Sequence, residues 1–248
     1  MYDLDPKLSQ FLKNKKVAIV GPSPHLIGKG IGKIIDSYDV VCRINEVHPT
    51  GFEEDYGNKT DVVFHNCATV HVPQFINILE KAPPGIAENL KYVICPCVKA
   101  AGSDNNWSTW SDEYISPVVS NFHNINKYNT PFYWIGMKNY RFVYNQIFGV
   151  EPNAGQTAII ILLSHMVKEL FITGFSFYAQ GDSPIQSTRP GHVEKKLENE
   201  LVGNAGHPQG PQKNAFKNKV FKEYNNSIIV DSYLNELLDL KHDRIVKL

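Results

Sequence analysis

Residues 17–66, VAIVGPSPHLIGKGIGKIIDSYDVVCRINEVHPTGFEEDYGNKTDVVFHN, decide how this chain folds. The stretch opens on an apolar, largely β-branched run, the composition of a strand buried on both faces. That run ends in Gly21-Pro22-Ser23-Pro24, a turn that leaves backbone and hydroxyl groups facing the strand's carboxyl end. A second strand, at 39–44, brings Arg43 and Asn45 to the same edge and leads towards a Gly-Phe-Glu-Glu-Asp loop at 51–55. Such a layout suits a nucleotide held over the carboxyl edge of a parallel sheet, where open α/β folds bind their ligands.

Outward from this stretch, short Val/Ile/Phe-rich runs predict strands at 61–65, 91–95, 131–135 and 169–173. Helices fit between them near 28–36, at 73–81, near 107–122, at 138–148 and at 155–165. The alternation argues for an α/β sheet, mostly parallel and flanked by helices. Residues 176–208 collect Gly, Pro, Ser, Gln and His with little periodicity and read as an active-site loop. After it, 209–224 reads as a helix, 227–230 as a late strand and 233–240 as a closing helix. No repeat or linker divides the chain, so residues 1–248 are read as a single domain.

The bulk composition excludes several classes of function. With 248 residues, 42% hydrophobic and 20% charged, the chain can bury a sizeable core. Lys plus Arg and Asp plus Glu number 25 each, so no global field favours nucleic acid or an anionic membrane. The first sixteen residues lack the apolar core of a signal peptide. The longest aliphatic run, 158–163, is far short of the roughly 20 residues of a membrane span. A soluble, cytoplasmic chain with no membrane span is therefore expected. The four cysteines, Cys42, Cys67, Cys95 and Cys97, lack zinc-site spacing and read as free thiols in a reducing compartment.

Glycine motifs that would indicate a dinucleotide or a phosphate loop do not hold. In Gly28-Lys29-Gly30-Ile31-Gly32 the third glycine is one residue early for the dinucleotide fingerprint. Gly30 also stands after Lys29, where a phosphate loop needs Ser or Thr to hold magnesium. These glycines are expected to let a helix pack tightly against the sheet, and an oxidoreductase is disfavoured. Asp3-Leu4-Asp5, near a terminus that reads as disordered, is a poor metal site.

Several anchors within 17–66 resemble the large sialyl motif of glycosyltransferase family 29, the animal-type sialyltransferases. In order they are Val20-Gly21-Pro22-Ser23, Ile35-Asp36-Ser37, Arg43-Ile44-Asn45, Pro49-Thr50-Gly51-Phe52-Glu53-Glu54-Asp55 and Gly57-Asn58-Lys59-Thr60. A second stretch resembles the family's small motif, opening at Pro152-Asn153-Ala154-Gly155 and closing on Phe171-Ile172-Thr173-Gly174-Phe175. A helix opening at such a turn offers free N–H groups and a positive dipole end to anionic atoms, and Asn153 can cap it. The same four residues also read simply as a helix cap.

The resemblance assigns two of the nine histidines. His192, in Gly191-His192-Val193-Glu194, takes the place of the family's histidine for the leaving phosphate. His207, in His207-Pro208-Gln209-Gly210-Pro211-Gln212, takes that of the general base. A neutral imidazole can accept a hydroxyl proton near neutrality, and its donor form can stabilise a departing phosphate. The remaining seven, His25, His48, His65, His71, His123, His165 and His242, stand in no special context.

The resemblance thus implies a GT-A-like, Rossmann-type fold that uses no metal or other cofactor. It implies inverting transfer of a sugar, most simply sialic acid, from a CMP-sugar to a hydroxyl of an acceptor glycan. Gly21, Pro22, Ser23, Asn45, Asn153, Ala154, Gly155 and His192 would bind the CMP-sugar, and Arg43 would brace the sheet end through hydrogen bonds. The chain departs from the family at four points. Pro22 replaces an asparagine, Asn153 a serine and Gln212 a glutamate, and no aromatic pair follows His192. Val17 and Val167 occupy the positions of the family's disulfide, which fits a cytosolic protein. Two further readings stay open: a transferase of another CMP-linked ulosonic acid such as Kdo, and a non-catalytic nucleotide- or glycan-binding module on the same fold.

Overall fold

The computed structural model describes residues 4–65, 72–96, 120, 122–123, 126–147, 152–177, 179 and 209–248. The apolar run at the head of the 17–66 stretch is β1 (Lys16–Val20), and its next strand is β2 (Val40–Ile44). Then follow β3 (Val62–Phe64), β4 (Tyr92–Cys95), β5 (Phe132–Trp134), β6 (Glu169–Thr173), β7 (Ile228–Asp231) and β8 (Ile245–Val246). They form one sheet in the order β5-β4-β3-β2-β1-β6-β7-β8. Every pairing is parallel, so the sheet is all-parallel where a mostly parallel one was expected. The strand order reverses at β1, between β2 and β6, which makes the carboxyl ends of β1 and β6 the topological switch point.

Period-two alternation along the strands divides the core between the two faces. Val17 and Ile19 of β1 join one cluster with Val40, Cys42, Leu170 and Ile172, while Ala18 and Val20 join another with Val41 and Phe171. The first cluster is covered by α1 (Pro6–Leu12), α6 (Gly136–Gln146) and α7 (Ala154–Ser164). The opposite face is covered by α2 (Gly32–Asp36) and α3 (Glu53–Tyr56), through Ile35 and Tyr56. A third cluster packs α4 (Val72–Lys81) and α5 (Ile86–Asn89) on Val63, Val93 and Cys95. In α7 every residue from Gly155 to Leu163 is buried, as expected of a helix apolar all round. Among the described residues no helix is long and apolar enough to cross a membrane.

Several sequence expectations need correction. The terminus that reads as disordered carries α1, because Asp5 accepts the Leu8 N–H at 2.7 Å and Pro6 opens the first turn. The predicted 209–224 helix runs unbroken, but its middle is a π turn (Phe216–Val220) between α8 (Gln209–Ala215) and α9 (Phe221–Tyr224). The closing helix is α10 (Ser232–Leu237), capped by Asp231. The predicted helix near 107–122 and the loop at 176–208 lie for the most part outside the described residues.

The glycines at 28, 30 and 32 do not pack a helix onto the sheet. A Cβ at Gly32 would come within 2.3 Å of the Glu53 carbonyl oxygen, so this glycine lets α2 approach α3. Gly28 and Gly30 have φ of +75° and +64°, and their N–H groups donate to the two Asp55 carboxylate oxygens at 2.8 Å. The loop's amides are thus occupied by an internal anion, which is the physical reason it is no phosphate loop.

Val17 and Val167 both sit in the main core, at 0% and 6% exposure. The strand starts they flank are tied by the Lys168 N–H donating to the Lys15 carbonyl at 2.9 Å. Buried hydrocarbon therefore stands at both valine positions. Cys42 and Cys95 are buried, while Cys67 and Cys97 lie outside the described residues.

His165 ends α7 with its Nδ1 2.8 Å from the Ile161 carbonyl oxygen. Burial lowers its pKa below the ordinary histidine value of 6.5, against the pull of that carbonyl. His48 is lowered too, first by burial and then by the Arg43 charge. The unfolded chain takes up these protons before the folded one. Their contribution to stability is therefore complete above about pH 6.5 and is lost as the pH falls below it, through the lower folded-state values. Thermal denaturation should show Tm falling below this point, with a shallower fall in His165→Gln. An unchanged slope in the variant would contradict the assignment.

Candidate active site

Most large-motif residues brace one another along the carboxyl edge of the sheet. The Arg43 side chain is 3% exposed; Nε donates to Thr60 Oγ1 at 2.8 Å, and Nη2 to the carbonyls of Tyr56, Gly57 and Lys59 at 2.9–3.0 Å. Burial lowers its pKa to about 10, leaving it charged at neutrality. Thr60 in turn donates to the Val47 carbonyl at 2.6 Å. The Asp36 carboxylate accepts the Asn58 and Lys59 N–H groups, each at 2.9 Å. Arg43, Asp36, Asp55 and Thr60 therefore hold the loops in shape, as expected for Arg43.

At the switch point the Gly21–Ser23 turn and the Asn153–Gly155 turn come together. Gly21 and Gly174 follow β1 and β6 so closely that a Cβ on either would lie 2.3 Å from the other's carbonyl oxygen. Gly21 donates its N–H to the Thr173 carbonyl and Ser23 to the Gly174 carbonyl, both at 2.9 Å. The Phe175 ring then wedges between the two motifs. A Cβ at Gly21 would meet it at 3.1 Å, and one at Gly155 at 2.7 Å. Only residues lacking a Cβ allow this contact, which sets the first turn of α7 beside the turn after β1.

The amino end of α7 is prepared to donate hydrogen bonds. Asn153 caps it, accepting the Gln156 N–H at 2.8 Å, which leaves the N–H groups of Ala154 and Gly155 at the open helix end. The Asn153 N–H donates to Gln212 Oε1 at 3.1 Å, joining α8 to this turn. The side-chain nitrogens of Gln156 and Gln212, at 2% and 0% residue exposure, find no partner among the described residues.

Across the sheet, Val20 pairs with Arg43, so Pro22 and Asn45 each stand two residues beyond a paired position. Asn45 has φ of +63°, a conformation asparagine tolerates, and its N–H donates to the Phe64 carbonyl. Among the described residues its side chain takes no hydrogen-bond partner. A shallow cleft open to solvent is lined by residues including Gly21, Pro22, Arg43, Glu46 and Tyr56. His192 and His207 lie outside the described residues.

Sequence reasoning missed His25 and Asp231. His25 Nδ1 is 2.9 Å from Ser23 Oγ, and its Nε2 is 3.1 Å from Asp231 Oδ2. The His25 side chain is 4% exposed and that of Asp231 is 0%. The available signals were weak: a histidine two residues after the turn serine, and an aspartate ending a late apolar strand.

Comparison with known proteins follows the same outline. A family model described as glycosyltransferase family 29 (sialyltransferase) matches residues 4–148. CMP-N-acetylneuraminate-beta-galactosamide-alpha-2,3-sialyltransferase 2 of Mus musculus is 25% identical over 178 residues, 68% of this chain and 45% of its own length. Sialyltransferase-like protein 2 of Oryza sativa subsp. indica is 38% identical over 68 residues, 27% of this chain and 17% of its own length. The chain thus spans less than half the length of these relatives. The crystal structure of a mammalian sialyltransferase superposes with a TM-score of 0.56 at 18% identity, over 92% of this chain and 73% of that one. At that identity the likeness speaks for the fold.

Proposed function

Because the chain belongs to glycosyltransferase family 29, we propose that it transfers sialic acid, or a related ulosonic acid, from a CMP-sugar to a hydroxyl of an acceptor glycan. The observation that carries this reading is the meeting of the Gly21–Ser23 turn and the amino end of α7 around Phe175 at the switch point. The relative spanning most of the chain bears the CMP-N-acetylneuraminate donor in its name, which supports the same donor here.

In this reading the N–H groups of Ala154 and Gly155 face the phosphate of CMP, where the helix dipole favours negative charge. The amide nitrogens of Gln156 and Gln212, which have no partner among the described residues, support an oxygen-rich ligand nearby. Ser23 and Asn45 would hold the nucleoside, and Gly21 and Pro22 would shape the floor beneath it. His207 would take the acceptor's hydroxyl proton as its oxygen attacks the anomeric carbon and the bond to CMP breaks with inversion. His192 would steady the charge on the departing phosphate, and no metal is assigned to that task. The buried Cys42 thiol and the valines at positions 17 and 167 support work in a reducing compartment.

The test is turnover with CMP-sialic acid and a panel of glycan acceptors. His207→Ala should lose about 10²–10⁴-fold in kcat while binding CMP as before, the usual scale for a general base. A wild type that binds CMP without turning over any CMP-sugar would instead identify a binding module. Undiminished turnover in His207→Ala would move the base elsewhere.

A further inference from the structure

Ser23 stands at the N-cap of a 3-10 turn (Pro24–Leu26), where a serine hydroxyl ordinarily bonds the turn's own N–H groups. Here it makes no such bond and meets His25 Nδ1 at 2.9 Å. The far side of that imidazole reaches Asp231 Oδ2 at 3.1 Å, joining positions 206 residues apart in sequence. Asp231 is saturated with hydrogen-bond donors. Oδ2 also accepts the Thr173 hydroxyl at 2.8 Å and the Gly174 N–H at 3.2 Å, and Oδ1 accepts the Leu234 N–H at 2.7 Å. The Tyr233 ring stacks on the imidazole with centroids 4.2 Å apart, fixing its plane. The Ser23 backbone is pinned as well, since its carbonyl accepts the Tyr56 hydroxyl at 2.6 Å and its N–H donates to Gly174.

We infer that His25, held by Asp231, is a positioning residue that sets which way the Ser23 hydroxyl faces the bound nucleotide. With the Thr173 hydroxyl and the Gly174 and Leu234 N–H groups already donating to it, the Asp231 carboxylate is an acceptor, and His25 Nε2 is the donor to it. In the neutral ring Nδ1 is then a lone pair, and the Ser23 proton is committed to it. The Ser23 oxygen turns its remaining lone pairs outward. It is thereby made an acceptor for a hydroxyl or amino group of the ligand, such as those of ribose or cytosine, rather than a donor to phosphate. A hydroxyl whose direction is fixed beforehand binds without the cost of ordering it.

This inference rests on the CMP-sugar reading, and its test separates the two. In the free wild-type protein, ¹⁵N-detected imidazole spectra should show His25 as the Nε2–H tautomer, and CMP should perturb its Nδ1 signal. The tautomer with Nδ1 protonated would overturn the inference. By calorimetry, Ser23→Ala and His25→Phe should each weaken CMP binding about tenfold, the scale of one well-placed hydrogen bond. The double variant should be no weaker than Ser23→Ala alone, because His25 acts through Ser23. In turnover, His25→Phe should raise KM for the CMP-sugar and leave kcat near wild type. CMP binding that is normal in both wild type and His25→Phe overturns this inference alone. A wild type that does not bind CMP overturns the transferase reading and the inference with it.

Discussion

Gly174→Ala is expected to cost at least about 3 kcal/mol of stability and to abolish nucleotide binding. Two costs combine at this position. Gly174 has φ of +74°, which costs a residue with a Cβ about 1–3 kcal/mol. The added Cβ would also lie 2.3 Å from the Gly21 carbonyl oxygen, an atom of backbone that cannot rotate away. Relief requires the carboxyl ends of β1 and β6 to part, which would break the Gly21–Thr173 and Ser23–Gly174 hydrogen bonds that shape the turn. Gly28→Ala is the control, with φ of +75° and nothing within 4 Å of its Cβ, so it bears only the backbone cost. Urea unfolding of the two variants checks this. Equal stability would contradict the account of the switch point.

Arg43→Ala is the second large expected effect, with a loss of about 3–5 kcal/mol, since several buried acceptors lose their donor at about 1–3 kcal/mol each. The change removes the donors to the Tyr56, Gly57 and Lys59 carbonyls and to Thr60, leaving acceptors in a site with little access to water. Arg43→Lys should fall between, because an ammonium keeps the charge but not the planar fork. Denaturant midpoints measure both. A variant with wild-type stability that has lost CMP affinity would mean that Arg43 touches ligand rather than bracing the loops.

The central sheet was legible because β1, β2, β6 and β7 are apolar runs of four or five residues bounded by turn formers. β8, of two residues, is too short to carry a period. α1 was hidden by its charged surroundings, though the Asp5-Pro6 start is a legible cap. Within the large motif the bracing role of Arg43 was foreseen, while spacing located Asp36, Asp55 and Thr60 but could not say what they bind. A residue that holds a loop and a residue that holds a ligand leave the same trace in a single sequence. The glycine run shows this best, since its partner is the Asp55 carboxylate, more than twenty residues away. The link from His25 to Asp231 was out of reach of spacing altogether, because only the order β1-β6-β7 brings those strand ends together.

The central claim is that the carboxyl edge at β1 and β6 is a cytidine-nucleotide site. The most direct measurement is calorimetric titration of the purified protein with CMP, CDP, UDP, GDP and NAD in the presence of EDTA. Selective binding of CMP under these conditions is the predicted result. Binding with no preference for cytidine nucleotides, or binding that requires a divalent metal, would contradict it.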